Sequence, residues 1–213
     1  VTFFTYAIFY QVWFMALESS TRPVHIIHCT LDDYIPFCRF AVVPYLLWFA
    51  WIPLVMLLFL HRAREEYWRL FYTYVMGTSL GLVIYTIFPN GVALRSWHPE
   101  QDIFTKIIRM IYQVDTSTNV CPSMHVFVTV ILALAVFDSQ VLQAKWFRAL
   151  TLVMSVAICS STVLLDQHSM IDVLMGLLLA VFCYLQVRAV LPCGCAPLRQ
   201  IRDERKLRRV YNE

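Results

Sequence analysis

Two histidines and one aspartate carry the chemistry that can be read from this chain. His168 and Asp172 stand four apart in SSTVLLDQHSMIDVLMG, residues 160–176, where one apolar segment ends and the next begins. Residues four apart on a helix share a face and can hydrogen-bond. An imidazole oriented by a carboxylate is what a nucleophilic or general-base histidine requires. The second histidine, His125, lies 43 residues upstream in Cys121-Pro122-Ser123-Met124-His125. Two apolar segments separate the pair, so the chain leaves and returns, and both imidazoles are expected on one side of a membrane.

Two histidines, a carboxylate and Arg95 on one face suit phosphoryl transfer. A neutral imidazole attacks phosphorus and forms a phosphohistidine, while the carboxylate holds its tautomer. The other histidine, protonated, gives its proton to the departing alkoxide. Cationic and backbone donors stabilise the charge on the non-bridging oxygens. This chemistry needs no metal and no cofactor.

The elements that must position these residues are helices in a membrane. Of 213 residues, 60% are apolar and 15% charged, and mean hydropathy is +0.64. A soluble domain is about 45–50% apolar and about 25% charged, so composition excludes a soluble globular domain. Nothing points to nucleic acid; the bilayer is the expected partner. Seven cysteines, an odd number with several in apolar segments, show no legible disulfide framework. The sequence does not give an oligomeric state.

Six spans are expected, in an all-α polytopic bundle forming one domain over residues 1–192. Val1–Leu17 is marginal for a span of about 20 residues. Phe40–Leu60 and Leu70–Phe88 follow, the latter carrying Gly77-x-x-x-Gly81, which reads as close helix contact. Pro89-Asn90-Gly91 breaks that helix. Asp102–Val114 sets Ile103, Phe104, Ile107, Ile108 and Ile111 against Lys106 and Arg109, the pattern of a short interfacial helix that anchors or lines a substrate entrance. The last three spans are Met124 to about Leu142, interrupted by Asp138-Ser139-Gln140, then Trp146–Leu165 and Ile171–Leu191. Residues 193–213 form a basic tail.

Six spans put both termini on one side. With the termini inside, twelve of the seventeen Lys and Arg residues fall inside and five outside. The positive-inside rule then places both termini in the cytoplasm and His125, His168 and Arg95 on the outer face; the expected location is the plasma membrane.

The motifs resemble those of the type 2 phosphatidic acid phosphatase superfamily. Pro122-Ser123-Met124-His125 is similar to its P-S-G-H motif, and Ser161, His168 and Asp172 fit S-R-x5-H-x3-D. The resemblance covers residues 88–176, and six helices suit the family. It implies His168 as nucleophile, Asp172 as its orienter and His125 as general acid, with Ser123 and nearby backbone holding the phosphoryl oxygens. The family's first motif is K-x6-R-P. Arg95 matches its arginine, but Phe88 stands at the lysine and Ser96 at the proline. Met124 replaces the glycine of the second motif, and Thr162 replaces the arginine of the third. Thr162 is a candidate phosphate donor or a helix-satisfied hydroxyl. Asp166 adds a negative charge two residues before the nucleophile and reads as a helix cap or a partner for Arg95.

Two of the three family cations are therefore missing. A phosphomonoester near neutral pH carries close to two charges and a diester one, and buried anions need paired charge. The expected activity is hydrolysis of a lipid phosphate ester, of the phosphatidic acid or isoprenyl phosphate class. Headgroup transfer from a phosphodiester lipid is the alternative. His168-Ser169-Met170-Ile171-Asp172-Val173 is similar to the H-Y-[ST]-x-D-V motif of sphingomyelin synthases, which transfer such headgroups. Lys106, Arg109 or His98 are the candidates to replace the missing cations and restore a phosphatase. A non-catalytic lipid-binding or transport scaffold is the reading of another class. It has no reason to keep both histidines and the aspartate.

A second cluster, His25, His28, Cys29, Asp32 and Asp33, has metal-ligand residue types at a spacing that fits no defensible site. It reads as a loop over the outer mouth. Cys193 and Cys195 beside the tail permit lipidation.

Overall fold

A computed structural model describes residues 2–19, 24–95 and 102–191. Within them, seven α-helices follow one another: α1 (Thr2–Glu18), α2 (Val42–Arg62), α3 (Arg64–Ile87), α4 (Ile103–Val114), α5 (Met124–Asp138), α6 (Lys145–Leu164) and α7 (Met170–Val190). Two strands of two residues each, β1 (His25–Ile26) and β2 (Asn90–Gly91), pair in parallel beside the helices. His98 and the 193–213 tail, with Cys193 and Cys195, lie outside the described residues.

Four helices are long and apolar enough to cross a membrane: α2 with the turn leading into it (Arg39–Arg62), α3, α6 and α7. This is a membrane protein by that measure. The expected six spans require α1, of 17 residues, and α5, of 15, to cross as well. At about 1.5 Å per residue α5 is about 22 Å long, short of a hydrocarbon core of about 30 Å. It is also the innermost helix. Val126, Phe127, Val128, Ile131 and Leu132 are almost completely buried, and α5 packs against α2, α3, α6 and α7. Protein, rather than lipid, surrounds it, and a helix sheathed in that way need not match bilayer thickness.

The expected run of α5 to about Leu142 is too long, because the chain turns at Asp138. The Ser139 hydroxyl accepts the amides of Val141 and Leu142, at 3.1 and 2.8 Å, and donates to Glu66 at 2.5 Å. The short polar run therefore stops the helix. Asp138 pairs with Arg188 at 2.6 Å and with Arg69 at 3.9 Å. These contacts tie α3, α5 and α7 together at the end away from the histidines. α3 begins six residues before the expected Leu70, with Glu65 and Glu66 in its first turn, where the helix dipole favours negative charge.

Small residues set the approach of α3 and α7 to α5. A Cβ at Gly77 would lie 1.9 Å from the Phe127 ring, and one at Gly81 would lie 2.7 Å from Met124. The Gly77-x-x-x-Gly81 pair thus does what such motifs do in lipid, admitting a neighbouring helix to close range. On α7, a Cβ at Gly176 would lie 2.6 Å from the carbonyl oxygen of Ser123. That contact joins the two segments that carry His125 and His168.

The amphipathic α4 starts at Asp102, whose carboxylate accepts the Thr105 amide at 2.9 Å and pairs with Arg39 at 3.0 Å. Its apolar face does not simply anchor in a membrane surface. Ile108 is buried against Ala41, Val42, Tyr45 and Leu165, with Phe104, Ile107 and Ile111 around it. α4 therefore closes over the start of α2 and the end of α6, beside the site residues.

Candidate active site

His168 sits in a tight turn between α6 and α7. The Thr162 carbonyl accepts the amides of both Gln167 and His168, at 3.0 and 3.1 Å. Asp166 takes φ 53°, the left-handed conformation that a short polar side chain tolerates best. That reversal sends the chain from α6 into α7 and buries Gln167, His168 and Ser169. Ser169 then caps α7. Asp172 completes a capping box by accepting the Ser169 amide at 2.9 Å through Oδ2.

The same Oδ2 lies 3.4 Å from Nδ1 of His168. The expected i, i+4 contact is present, although it is not aligned as a hydrogen bond. Nδ1 of His168 and Oδ1 of Asp172 have no aligned partner. The carboxylate is fully buried, and the imidazole keeps 8% of its side-chain surface. With Nδ1 turned to Asp172, Nε2 is the nitrogen left for chemistry. Cys121 lies beside the same carboxylate. Burial, and then the Asp172 charge, push its thiol up to about 12.

His125 enters from the first turn of α5. Ser123 is the N-cap, fully buried, and its amide donates to the Asp172 carbonyl at 3.0 Å. The segments bearing the two histidines are thus bonded to each other at their starts. The two rings are 5.7 Å apart between centroids and inclined at 63°. Trp48 and Tyr45 of α2 flank His125, with centroids at 4.3 and 4.7 Å. The three rings are tilted against one another, by 41° for Trp48 and 33° for Tyr45, so α2 walls the imidazole with aromatic surface.

Arg95 reaches the same place from the loop after β2. Its Nη1 donates to the Tyr112 carbonyl at 3.0 Å, and its Nη2 donates to the Asp115 carbonyl at 2.6 Å and to Oε1 of Gln167 at 2.5 Å. Its guanidinium lies 4.4 Å over the Tyr112 ring. Burial lowers the Arg95 pKa, and the neighbouring Asp115 charge opposes that. The Tyr45 hydroxyl donates to the Asp115 carboxylate at 2.5 Å. A closed circuit results. Arg95 holds Gln167, which precedes His168; His168 faces His125; His125 packs on Tyr45; Tyr45 bonds Asp115; and Asp115 accepts from Arg95.

Buried polar atoms without partners concentrate on this circuit. Nε of Arg95, Nε2 of Gln167, Nε2 of His125, Nδ1 of His168, Oδ1 of Asp172 and Nε1 of Trp48 are all in this condition. Buried polar groups in native proteins are nearly always bonded, and each exception calls for a cause. Five of the six are N–H groups or ring nitrogens; Nδ1 of His168 faces Asp172, and the other four are of a kind that can donate to an oxyanion. Thr162 contributes differently from the phosphate-donor reading. Its hydroxyl donates to the Cys159 carbonyl at 2.8 Å, and its role in the site is the carbonyl that holds the His168 turn. Lys106 is exposed on α4.

Three positioning residues were not evident as such in the sequence. Asn90, read as part of a helix break, is completely buried. It accepts the amides of Val120 and Cys121 at 2.9 and 2.8 Å and donates to the carbonyls of Phe88 and Cys121, both at 2.9 Å. It clamps the loop that delivers His125. Glu18, at the end of α1, accepts from Thr116, from Thr118 at 3.0 Å and from Asn119 at 2.5 Å, holding the same loop from the other side. Asp32 accepts the Ser169 hydroxyl at 2.7 Å and the amides of Met170 and Cys29, both at 2.9 Å. The loop with the metal-type residues is therefore a strap across the start of α7. In it His28 pairs with Asp33 at 2.9 Å and His25 stacks on Phe88 at 4.6 Å. Burial raises the Asp32 pKa, but the hydrogen bonds from Met170, Ser169 and Cys29 outweigh it and leave the carboxyl below its ordinary 3.8. The signal was available in Asp32-Asp33 after a turn, but its partner lies 137 residues away.

Comparison with family models, curated proteins and solved structures returns no match to this chain. Its chemistry has to be read from its own atoms.

Proposed function

We propose that this protein is a membrane-embedded enzyme of the type 2 phosphatidic acid phosphatase kind, hydrolysing lipid phosphate esters without metal. The observation that carries this reading is the pair His125–His168, with ring centroids 5.7 Å apart, Asp172 behind one imidazole and aromatic rings beside the other.

Nε2 of His168 attacks phosphorus and forms a P–N bond as the P–O bond to the lipid breaks. The electron pair leaves with the lipid oxygen, which takes a proton from the His125 imidazolium. Asp172 favours the tautomer with the proton on Nδ1 and the positive charge that His168 acquires. Arg95 and the Ser123 end of α5 face the non-bridging oxygens. In the second half, His125 takes a proton from water. That water attacks phosphorus, the P–N bond breaks, and phosphate and neutral His168 are released.

A second reading is headgroup transfer, in which a lipid alcohol replaces water. The observation that favours it is the Asp115 carboxylate beside Arg95, which offsets the cation inside the circuit. A receptor of low net positive charge suits a diester monoanion better than a monoester dianion. In this proposal α1 and α5 also cross, the termini are cytoplasmic, and the histidines open to the outer face of the plasma membrane.

The test is a product assay on purified protein in lipid. Phosphatidic acid is supplied in one arm and a phosphodiester lipid with a lipid alcohol in the other, each beside His168→Ala. Phosphate released in the first arm and lost in the variant identifies a phosphatase. A new headgroup lipid without free phosphate identifies the transferase. Neither product from any phospholipid supplied sinks both readings and favours a non-catalytic scaffold.

A further inference from the structure

We infer that Gln167 is an oxyanion donor of this site, supplying a neutral N–H where the resembling family has a cation; this rests on the phosphoryl-transfer reading. The assignment follows from what Arg95 can do. A guanidinium has only donors, so the atom of Gln167 that faces Nη2 at 2.5 Å must be the carbonyl oxygen. The other end of the amide is then NH2. That nitrogen is buried and has no partner, in a side chain only 3% exposed. A buried donor held in one orientation and left unbonded is costly unless a ligand completes it. Arg95 beside it repeats the pattern, because its Nη atoms are spent on Tyr112, Asp115 and Gln167 while its buried Nε is unbonded.

The two free donors belong to residues bonded to each other, and Gln167 is covalently next to the nucleophile. Its backbone is fixed as well, since its amide donates to the Thr162 carbonyl at 3.0 Å. Preorganised donors of this kind need no rearrangement when charge develops on phosphoryl oxygens. Gln167 delivers a donor without adding charge. The clamp therefore recognises an oxyanion with Arg95 as its cation and Gln167 as a neutral donor beside it.

Orthovanadate is the probe, because its five-coordinate adduct on an imidazole imitates phosphorus under attack. Its binding to purified protein in lipid nanodiscs is measured by calorimetry for wild type and Gln167→Glu, beside turnover. Gln167→Glu keeps the oxygen toward Arg95 and the shape of the side chain, but replaces the donor by an acceptor. We expect unchanged thermal melting, vanadate affinity lowered at least about tenfold, and kcat lowered about 10²–10³-fold, the usual effect of removing one such donor. Gln167→Met, of similar volume and without polar atoms, carries the same expectation should the glutamate variant fail to fold. Vanadate affinity and kcat within twofold of wild type in a folded variant would overturn the assignment, as would a wild type that does not bind vanadate. Wild type that binds vanadate through Gln167 but transfers no phosphoryl group would keep the donor and remove the enzyme reading.

Discussion

Oδ2 of Asp172 meets Nδ1 of His168 at 3.4 Å while accepting the Ser169 amide at 2.9 Å, so one carboxylate oxygen both orients the imidazole and caps the helix beneath it. The two tasks separate by substitution. Asn at position 172 keeps an oxygen for the cap but loses the charge. Asp172→Asn is expected to lower turnover about 10²–10⁴-fold, the range of general acid–base effects, with a stability loss of about 1 kcal/mol or less. Equal collapse of melting temperature and turnover would make Asp172 structural only.

In the proposed mechanism His125 donates its proton to the leaving oxygen, so its loss should matter most for poor leaving groups. His125→Ala should slow an alkyl phosphate ester far more than a nitrophenyl ester, whose oxygen departs without protonation. Steady-state rates on the two substrates check this. An equal loss on both removes His125 from the acid role.

Gly176 admits the Ser123 carbonyl, which is backbone and cannot rotate away from a side chain. A Cβ there would lie 2.6 Å from that oxygen. Gly176→Ala should therefore destabilise the protein by about 1–3 kcal/mol, the cost of overpacking, and separate the two histidines. Denaturation in detergent reads the first effect, and vanadate affinity reads the second.

Asp32 couples the strap to the turn after His168 through a charge. Its folded-state pKa is depressed below 3.8, so its contribution is fully present above 3.8 and disappears as pH falls through the folded value. Hydrogen exchange of the Met170 amide should accelerate relative to mid-α7 amides in that acid window. Asp32→Ala should mimic the acid state at neutral pH, costing about 2–3 kcal/mol for charge-assisted bonds lost at a buried site. No change at Met170 in the variant would detach the strap from the site.

The Cys121 thiol, raised to about 12, stays protonated at pH 8. Since the thiolate is the nucleophile, iodoacetamide in nanodiscs should label Cys121 at least about tenfold more slowly than an exposed thiol. Rapid labelling would place Cys121 away from Asp172.

Helices were legible because their signals are local. Apolar runs, the Ser169–Asp172 capping pattern and the periodic face of 102–114 repeat within a few residues, and α2, α4, α6 and α7 fall within a residue or two of their expected positions. His168 and Asp172 could be paired for the same reason, since four residues of helix fix their distance. The sequence by itself also determined that this is a membrane chain, because 60% apolar content leaves too little polar surface for a soluble one. The interruption at Asp138-Ser139-Gln140 was legible too, but that it ends α5, four residues before Leu142, depends on Ser139, whose partners include Glu66, 73 residues back. What only the tertiary structure decided is what surrounds the two imidazoles. Trp48 and Tyr45 against His125, Asp32 on the start of α7, Asn90 on the loop before α5 and Gln167 between Arg95 and His168 are all contacts across the bundle. No periodicity encodes them, because a hydrogen bond to a distant segment depends on how helices pack and leaves no trace in the residues beside it.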